Sequence, residues 1–192
     1  MSGASCKETY DRAVFGMWLY ILSDFLFFGT LFAVYAFFKD YALADQIYQL
    51  GKAFYATLAL LLSSTSAGIA GAYLHRRDRK KTLIFFFLAF LLGLFFSFVE
   101  WSHWSDLLAK GYTWQSSAFL SAYFTLIGTH QLHLLFCLFW MVVLIFPLFF
   151  QEISARDVRR LTCWRMFWQF LNIVWIFIFT VVYLMGVEGM YG

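Results

Sequence analysis

The side chains able to do chemistry are few, and most interrupt long apolar runs. Asp24 follows Ser23 in LYILSDFLFFG, Thr129, His130, Gln131 and His133 lie in LIGTHQLHLL, and Glu100 and His103 flank Trp101 in VEWSHW. A carboxyl such as Asp24 in an apolar run reads in two ways, and both stay open. It is either a proton-accepting group, because desolvation disfavours its charged form, or a group hydrogen-bonded to a neighbouring helix for packing. His130 and His133, three residues apart on one helix face, suggest a metal or haem ligand. A bis-histidine haem, however, needs ligands from separate helices at similar depth. The other histidines, His75 and His103, fall near the ends of their segments and cannot supply them. A structural hydrogen-bonding role is therefore favoured for His130 and His133 over metal ligation. Cys6, Cys137 and Cys163 have neither metal-like spacing nor a disulfide setting, so no metal or cofactor is expected on this chain.

The remaining polar groups read as packing or interfacial. Glu100 and His103 can meet on one helix face. With Trp101 and Trp104 beside them, they read as a partly hydrated polar cap in an interfacial aromatic belt. Ser64, Gly68 and Ala72, spaced by four in LLSSTSAGIAGA, let helix backbones approach closely. Gln169 and Asn172 share a face of WQFLNIVWIFIFTVVYLMG and read as interhelical hydrogen-bonding amides.

The elements that carry these groups follow from composition. Hydrophobic residues are 62% of the 192 and charged residues 13%, about half the ~25% of soluble domains. A soluble fold could not hide so much apolar surface. Five stretches are long enough to cross a hydrocarbon core, which needs roughly 20 helical residues each. They run at about 15–38, 53–74, 82–104, 121–150 and 167–187. The fold class expected is all-α, a single domain over 1–192 forming a bundle of five transmembrane helices. The fourth stretch is longer than a span requires, and Pro147 near its end marks a kink or stop. Continuous apolarity disfavours a β-barrel, whose strands alternate.

Eleven of the 14 Lys and Arg fall in the N-terminal tail, the loop after the second stretch and the loop before the fifth. Only Lys39, Lys52 and Lys110 fall on the other side. This bias places the N-terminus in the cytoplasm and the C-terminus in the periplasm. The basic loops suit anionic lipid head groups, and no nucleic acid partner is expected. The first apolar run is too long for a cleaved signal and is expected to stay as an anchor. Counted from the ends of their stretches, Asp24 lies roughly 13 Å deep and His130 and His133 roughly 13 and 18 Å. The three thus lie within about one turn of each other in depth, and Asp24 is expected to hydrogen-bond His130 or His133.

In chain order, the runs ILSDFLFF, LLSSTSAGIA, SAYFTLIGTHQLHLL and WQFLNIVWIFIFTVVYLMG resemble subunit III of the haem-copper respiratory oxidases, over nearly the whole chain. Five spans, fewer than in the cytochrome c oxidase branch, and the ending VVYLMG are more similar to the quinol-oxidising bo-type branch. The resemblance implies an accessory subunit of a proton-pumping quinol:oxygen oxidoreductase in the respiratory electron transport chain of a bacterial inner membrane. It implies no redox centre here, with the haems and copper in a large subunit I, and with subunit II, a small subunit IV and membrane phospholipids as further partners. The chain would stabilise subunit I and support its proton uptake. Asp24 matches an acidic position that the family links to sustained proton uptake, usually Glu in the cytochrome c branch. One departure stands out: the family pattern WHFxDxVW has His and Asp where this chain has Gln169 and Asn172, which keep hydrogen-bonding shape without titrating. A subunit III of a cytochrome c oxidase is an alternative. So is a small proton-coupled transporter, but the repeats and broken helices usual there are not evident. An optical spectrum of the isolated chain checks the histidine reading. No haem absorption is expected, and a haem band would overturn it.

Overall fold

The computed structural model of the chain describes residues 3–38 and 50–184. Five long helices occupy them: α1 Gly3–Phe37, α2 Leu50–His75, α3 Arg79–Ala109, α4 Ala118–Ile145 and α5 Ala155–Ile178. A 3₁₀ turn, Phe146–Phe149, closes α4 where Pro147 removes a backbone donor, and a π-helical segment, Phe179–Leu184, extends α5. All five helices are long and apolar enough to cross a membrane, so this is a multi-pass, all-α membrane protein. The end of the fifth expected stretch, to 187, and Lys39 lie outside the described residues.

The helices outrun the apolar stretches at their basic ends. Arg156, Arg159, Arg160, Cys163 and Arg165, read from the sequence as a loop, belong to α5, and Lys7 and Arg12 belong to α1. Likewise, Arg79, Lys80 and Lys81 form the first turn of α3. Hydropathy marks where a chain meets hydrocarbon, whereas helical hydrogen bonding continues into the head-group zone, where long basic side chains reach water. Local capping fixes these starts. Ser154 and Asp157 form a capping box at α5, and the Ser117 and Asp78 side chains accept backbone N–H groups at α4 and α3. At the other end of α3, Gly111 adopts φ 85° while Tyr112 and Gly111 donate to the Leu107 and Leu108 carbonyls, a Schellman stop that suits glycine.

α5 is the hub. It packs on α1, α2 and α4, while α3 pairs with α2 in a hairpin and also touches α4. Its span is the most buried of the five and that of α1 the least. Trp164 and Trp168 of α5, stacked with centroids 5.4 Å apart, and Trp175 are all buried. The Trp164 indole donates to the Cys137 carbonyl of α4 (2.9 Å), and the Trp175 indole to the Thr57 hydroxyl of α2 (3.0 Å). Within the hairpin, Ser63 and Ser66 donate to the Ala89 and Phe85 carbonyls of α3 at 2.8 and 2.9 Å. Such bonds contribute about 0.6–2 kcal/mol each in a membrane, so close packing must supply the rest.

The close approach does not use the expected stripe. A Cβ at Gly68 would meet nothing within 4 Å, and Ala72 is exposed. The face of α2 turned inward carries Ser63, Ser66, Ala67 and Ala70, all buried. Spacing by four drifts around a helix of 3.6 residues per turn, so neighbouring stripes of small residues are indistinguishable until the partner helix is placed. The tight glycines are instead Gly71 of α2, where a Cβ would meet the Arg165 guanidinium, and Gly93 of α3, where it would lie 2.7 Å from the Trp168 ring and 3.0 Å from Leu138. Gly93→Ala is expected to lower stability by roughly 1–3 kcal/mol, because the indole is held between helices and cannot yield. Gly68→Ala should change it little; thermal unfolding of the two purified variants makes the comparison.

Candidate functional site

α1 and α4 bring Asp24 and His133 together. His133 Nε2 lies 3.8 Å from Asp24 Oδ2, within ion-pair range but longer than a hydrogen bond. The His133 and Asp24 side chains are 19% and 13% exposed, so the pair sits at the rim of the bundle rather than in its centre. The histidine ring is oriented from its other side: Nδ1 is 2.8 Å from the Thr129 carbonyl one turn earlier. A carbonyl only accepts, so Nδ1 carries the proton there and Nε2 faces the acid. With Nδ1 so engaged, Nε2 and the carboxyl attract each other only when one proton is shared between them. At 3.8 Å that attraction is one between opposite charges, present when the imidazole is cationic and the carboxyl anionic, and not a hydrogen bond. At roughly 4 Å and an effective dielectric of about 20, two unit charges attract by about 4 kcal/mol, several times a neutral hydrogen bond of about 1 kcal/mol. The arrangement sets one carboxyl and one imidazole face to face at mid-bundle.

Aromatic rings wall the pair. Phe28 of α1 and Phe167 of α5 lie 5.4 and 6.4 Å from the His133 ring, between centroids. On the open side runs an apolar groove of about 440 Å³ lined by Tyr20, Phe136, Trp140 and Phe167. Two of its lining rings adjoin the pair, Tyr20 beside Asp24 and Phe167 beside His133.

Of the two histidines expected to meet Asp24, His133 does so and His130 does not. His130 is 0% exposed, its Nε2 3.1 Å from the Leu171 carbonyl of α5 and its ring 5.3 Å from Trp175. Three residues of helix turn the two side chains about 60° apart, enough to aim one at α1 and the other at α5. Among the described residues, no group of three or more His, Cys, Asp and Glu is placed to hold a metal ion.

The other polar residues fall differently from their sequence readings. Gln169 points out of the bundle and is exposed, while Asn172 is buried and donates to the Trp168 carbonyl of its own helix (2.8 Å). Neither makes the expected bond between helices of this chain. Glu100 and His103 are buried at 3% and 4% exposure, not hydrated, because α4 and the segment after α5 cover them. Tyr123 and Tyr183, both buried, were not singled out from the sequence. A tyrosine in an apolar run carries a hydroxyl that burial obliges to find a partner, which is the signal available there.

A family model described as cytochrome c oxidase subunit III matches residues 1–187. The chain belongs to the cytochrome c oxidase subunit III family. Among its relatives is the cytochrome bo(3) ubiquinol oxidase subunit 3 of Pseudomonas aeruginosa, 38% identical over 93% of this chain and 88% of that protein. That of Pseudomonas putida is 40% identical over 94% and 89%. The cytochrome c oxidase subunit 3 of Bacillus sp. is 34% identical over 91% and 86%. A subunit III works within an oxidase assembly, so the exposed rim carrying Asp24 and His133 is a surface that other subunits or lipid can cover. Asp24→Asn replaces the carboxyl that faces His133 Nε2 by an amide. In the nitrogen NMR spectrum of histidine-labelled protein it should move the His133 Nε2 signal and leave His130 in place; unchanged histidines would break the pairing.

Proposed function

We propose that this chain is the accessory third subunit of a quinol-oxidising haem-copper terminal oxidase in the respiratory chain of a bacterial inner membrane. The quinol branch is favoured by the relatives named as ubiquinol oxidase subunits at 36–40% identity. The haems and copper belong to a large subunit I, and subunit II and a small subunit IV complete the complex. The N-terminus and the arginine-rich ends of the helices lie on the cytoplasmic side, in line with the distribution of Lys and Arg.

The observation that carries this reading is the position of the Asp24–His133 pair at the rim of the bundle, beside an open apolar groove. An ionisable pair at mid-membrane is costly where lipid alone surrounds it, and such residues face protein or a hydrated path. Here the rim turns toward subunit I, and Asp24 takes up a proton that His133 orients for delivery to it. His130, Asn172 and Gln169 do not handle that proton: His130 fastens α5 to α4, Asn172 binds a carbonyl of its own helix, and Gln169 offers an amide to a neighbour outside the chain. A second groove, about 430 Å³ between Phe25–Ala36 of α1 and Ile173–Val181 of α5, suits a phospholipid acyl chain, its lining being almost wholly apolar.

Purification of the tagged chain in mild detergent tests the assignment. A larger haem-bearing polypeptide should co-purify, and the complex should reduce oxygen with quinol; activity with reduced cytochrome c in its place would move the chain to the other branch. A chain that comes alone and colourless overturns the reading. In the assembled complex, Asp24→Asn is expected to lower the initial rate by no more than about tenfold, as befits a group that feeds protons rather than breaks bonds, and to shorten sustained turnover. Oxygen consumption followed over many turnovers measures both.

A further inference from the structure

The half of the bundle away from the arginine-rich helix ends contains a second ionisable cluster that the proposed function does not use. Glu100 and His103 lie one turn apart on α3, with 3% and 4% exposure. Glu100 Oε2 and His103 Nδ1 are buried atoms without a hydrogen-bond partner. His103 Nε2 is 3.1 Å from the Tyr123 hydroxyl of α4, which lies 3.5 Å from the Tyr183 hydroxyl. One further turn along α3, Asp106 pairs with Lys52 of α2 at 2.7 Å, with both side chains nearly half exposed.

Glu100, His103 and Asp106 thus form a row whose exposure rises toward the helix end. On its inner side the row stops at Phe96, one turn before Glu100. Phe96 is 0% exposed, with its ring 4.6 Å from Trp175 and 6.2 Å from His130. The row is therefore open to water at one end and sealed at the other.

The charged and titratable groups around it are few. α3 contributes Asp106 and Lys110, α2 Lys52, α4 Tyr123, α1 Tyr35 and the segment after α5 Tyr183. Lys52 is engaged by Asp106, and Lys110 lies at the exposed end of α3. No described cation pairs with Glu100. A bare carboxylate there would be an isolated buried charge, which proteins avoid by retaining a proton or sharing one with a base. His103 is a base one turn along the same helix, and its Nδ1 has no other hydrogen-bond partner.

We propose that Glu100 and His103 form a second proton-holding site, separate from Asp24 and His133, that keeps one proton and exchanges it with the aqueous phase at the Lys52–Asp106 end. In the transfer, the O–H bond of the Glu100 acid breaks as an N–H bond forms on His103 Nδ1, and the reverse step restores it. The net charge of the pair is unchanged until the proton leaves by way of Asp106 to water. Because Phe96 closes the inner side, the site is a store rather than a channel.

Infrared spectroscopy of the purified protein with its co-purifying subunits, transferred from H₂O to D₂O, tests this. The expected result is a carbonyl band of a protonated carboxylic acid above the amide envelope, lost in Glu100→Gln, retained in Asp24→Asn and shifted in Glu100→Asp. In His103→Phe the band should persist but take up deuterium at least tenfold more slowly. The proposal is overturned if Glu100→Gln leaves the band in place, if Glu100→Asp does not shift it, or if wild-type protein has no such band at neutral pH. Deuteration as slow as that of the core amides, or unaffected by His103→Phe, overturns the exchange route. If Glu100→Gln does not assemble, the wild-type spectrum and Glu100→Asp carry the decision.

Discussion

Within a hydrocarbon core there is no bulk water to satisfy a polar group, so an indole, hydroxyl or imidazole between the helices is stabilised where it finds a partner in the protein, as Trp164, Trp175, Ser63, Ser66 and His130 do and the Trp104 and Trp168 indoles do not. That constraint converges on α5. The Trp164 and Trp175 indoles donate outward from it to α4 and α2, and its Leu171 carbonyl meets His130 of α4. The large rings leave little freedom in how neighbouring helices approach, and the hydrogen bonds select one rotation of each. The remaining architecture follows: α2 and α3 form a hairpin on one side of α5, α4 fills the angle between α3 and α5, and α1 closes the outside.

The position of α1 explains why the acid–imidazole pair is at a rim. α1 is the least buried span, held by contacts to α4 and α5 alone. Its Asp24 therefore meets α4 at the edge of the bundle, where His133 is turned toward it by the Thr129 carbonyl. His130, only three residues away, is turned inward and spent on holding α5. Two histidines that look equivalent in LIGTHQLHLL thus separate into one that faces Asp24 and one that fixes a helix.

Gln169 and Asn172 fit the same division. Asn172 binds a carbonyl of its own helix and Gln169 projects away from the bundle, so α5 keeps its packing role with no titratable group on that face. Among the described residues, Asp24 with His133 and Glu100 with His103 lie apart, with Phe96 and His130 between them.

How much of this was legible in the sequence depended on the range of the interaction. Five spans, the stop at Pro147 and the depth of Asp24 and His133 follow from local hydropathy, a missing backbone donor and a fixed rise per residue. These properties need no knowledge of neighbours. The start of α5 at Ala155 was within reach through its Ser154–Asp157 capping box, but hydropathy masked it. Which histidine faces Asp24, which small residues of α2 touch α3, and whether Glu100 is wet or dry were decided only in three dimensions. Each depends on the rotation of one helix against another, and a rotation of one residue, about 100°, turns an inward side chain out. Sequence fixes the depth of a side chain along its own axis; only the packed rings of the other helices fix its azimuth.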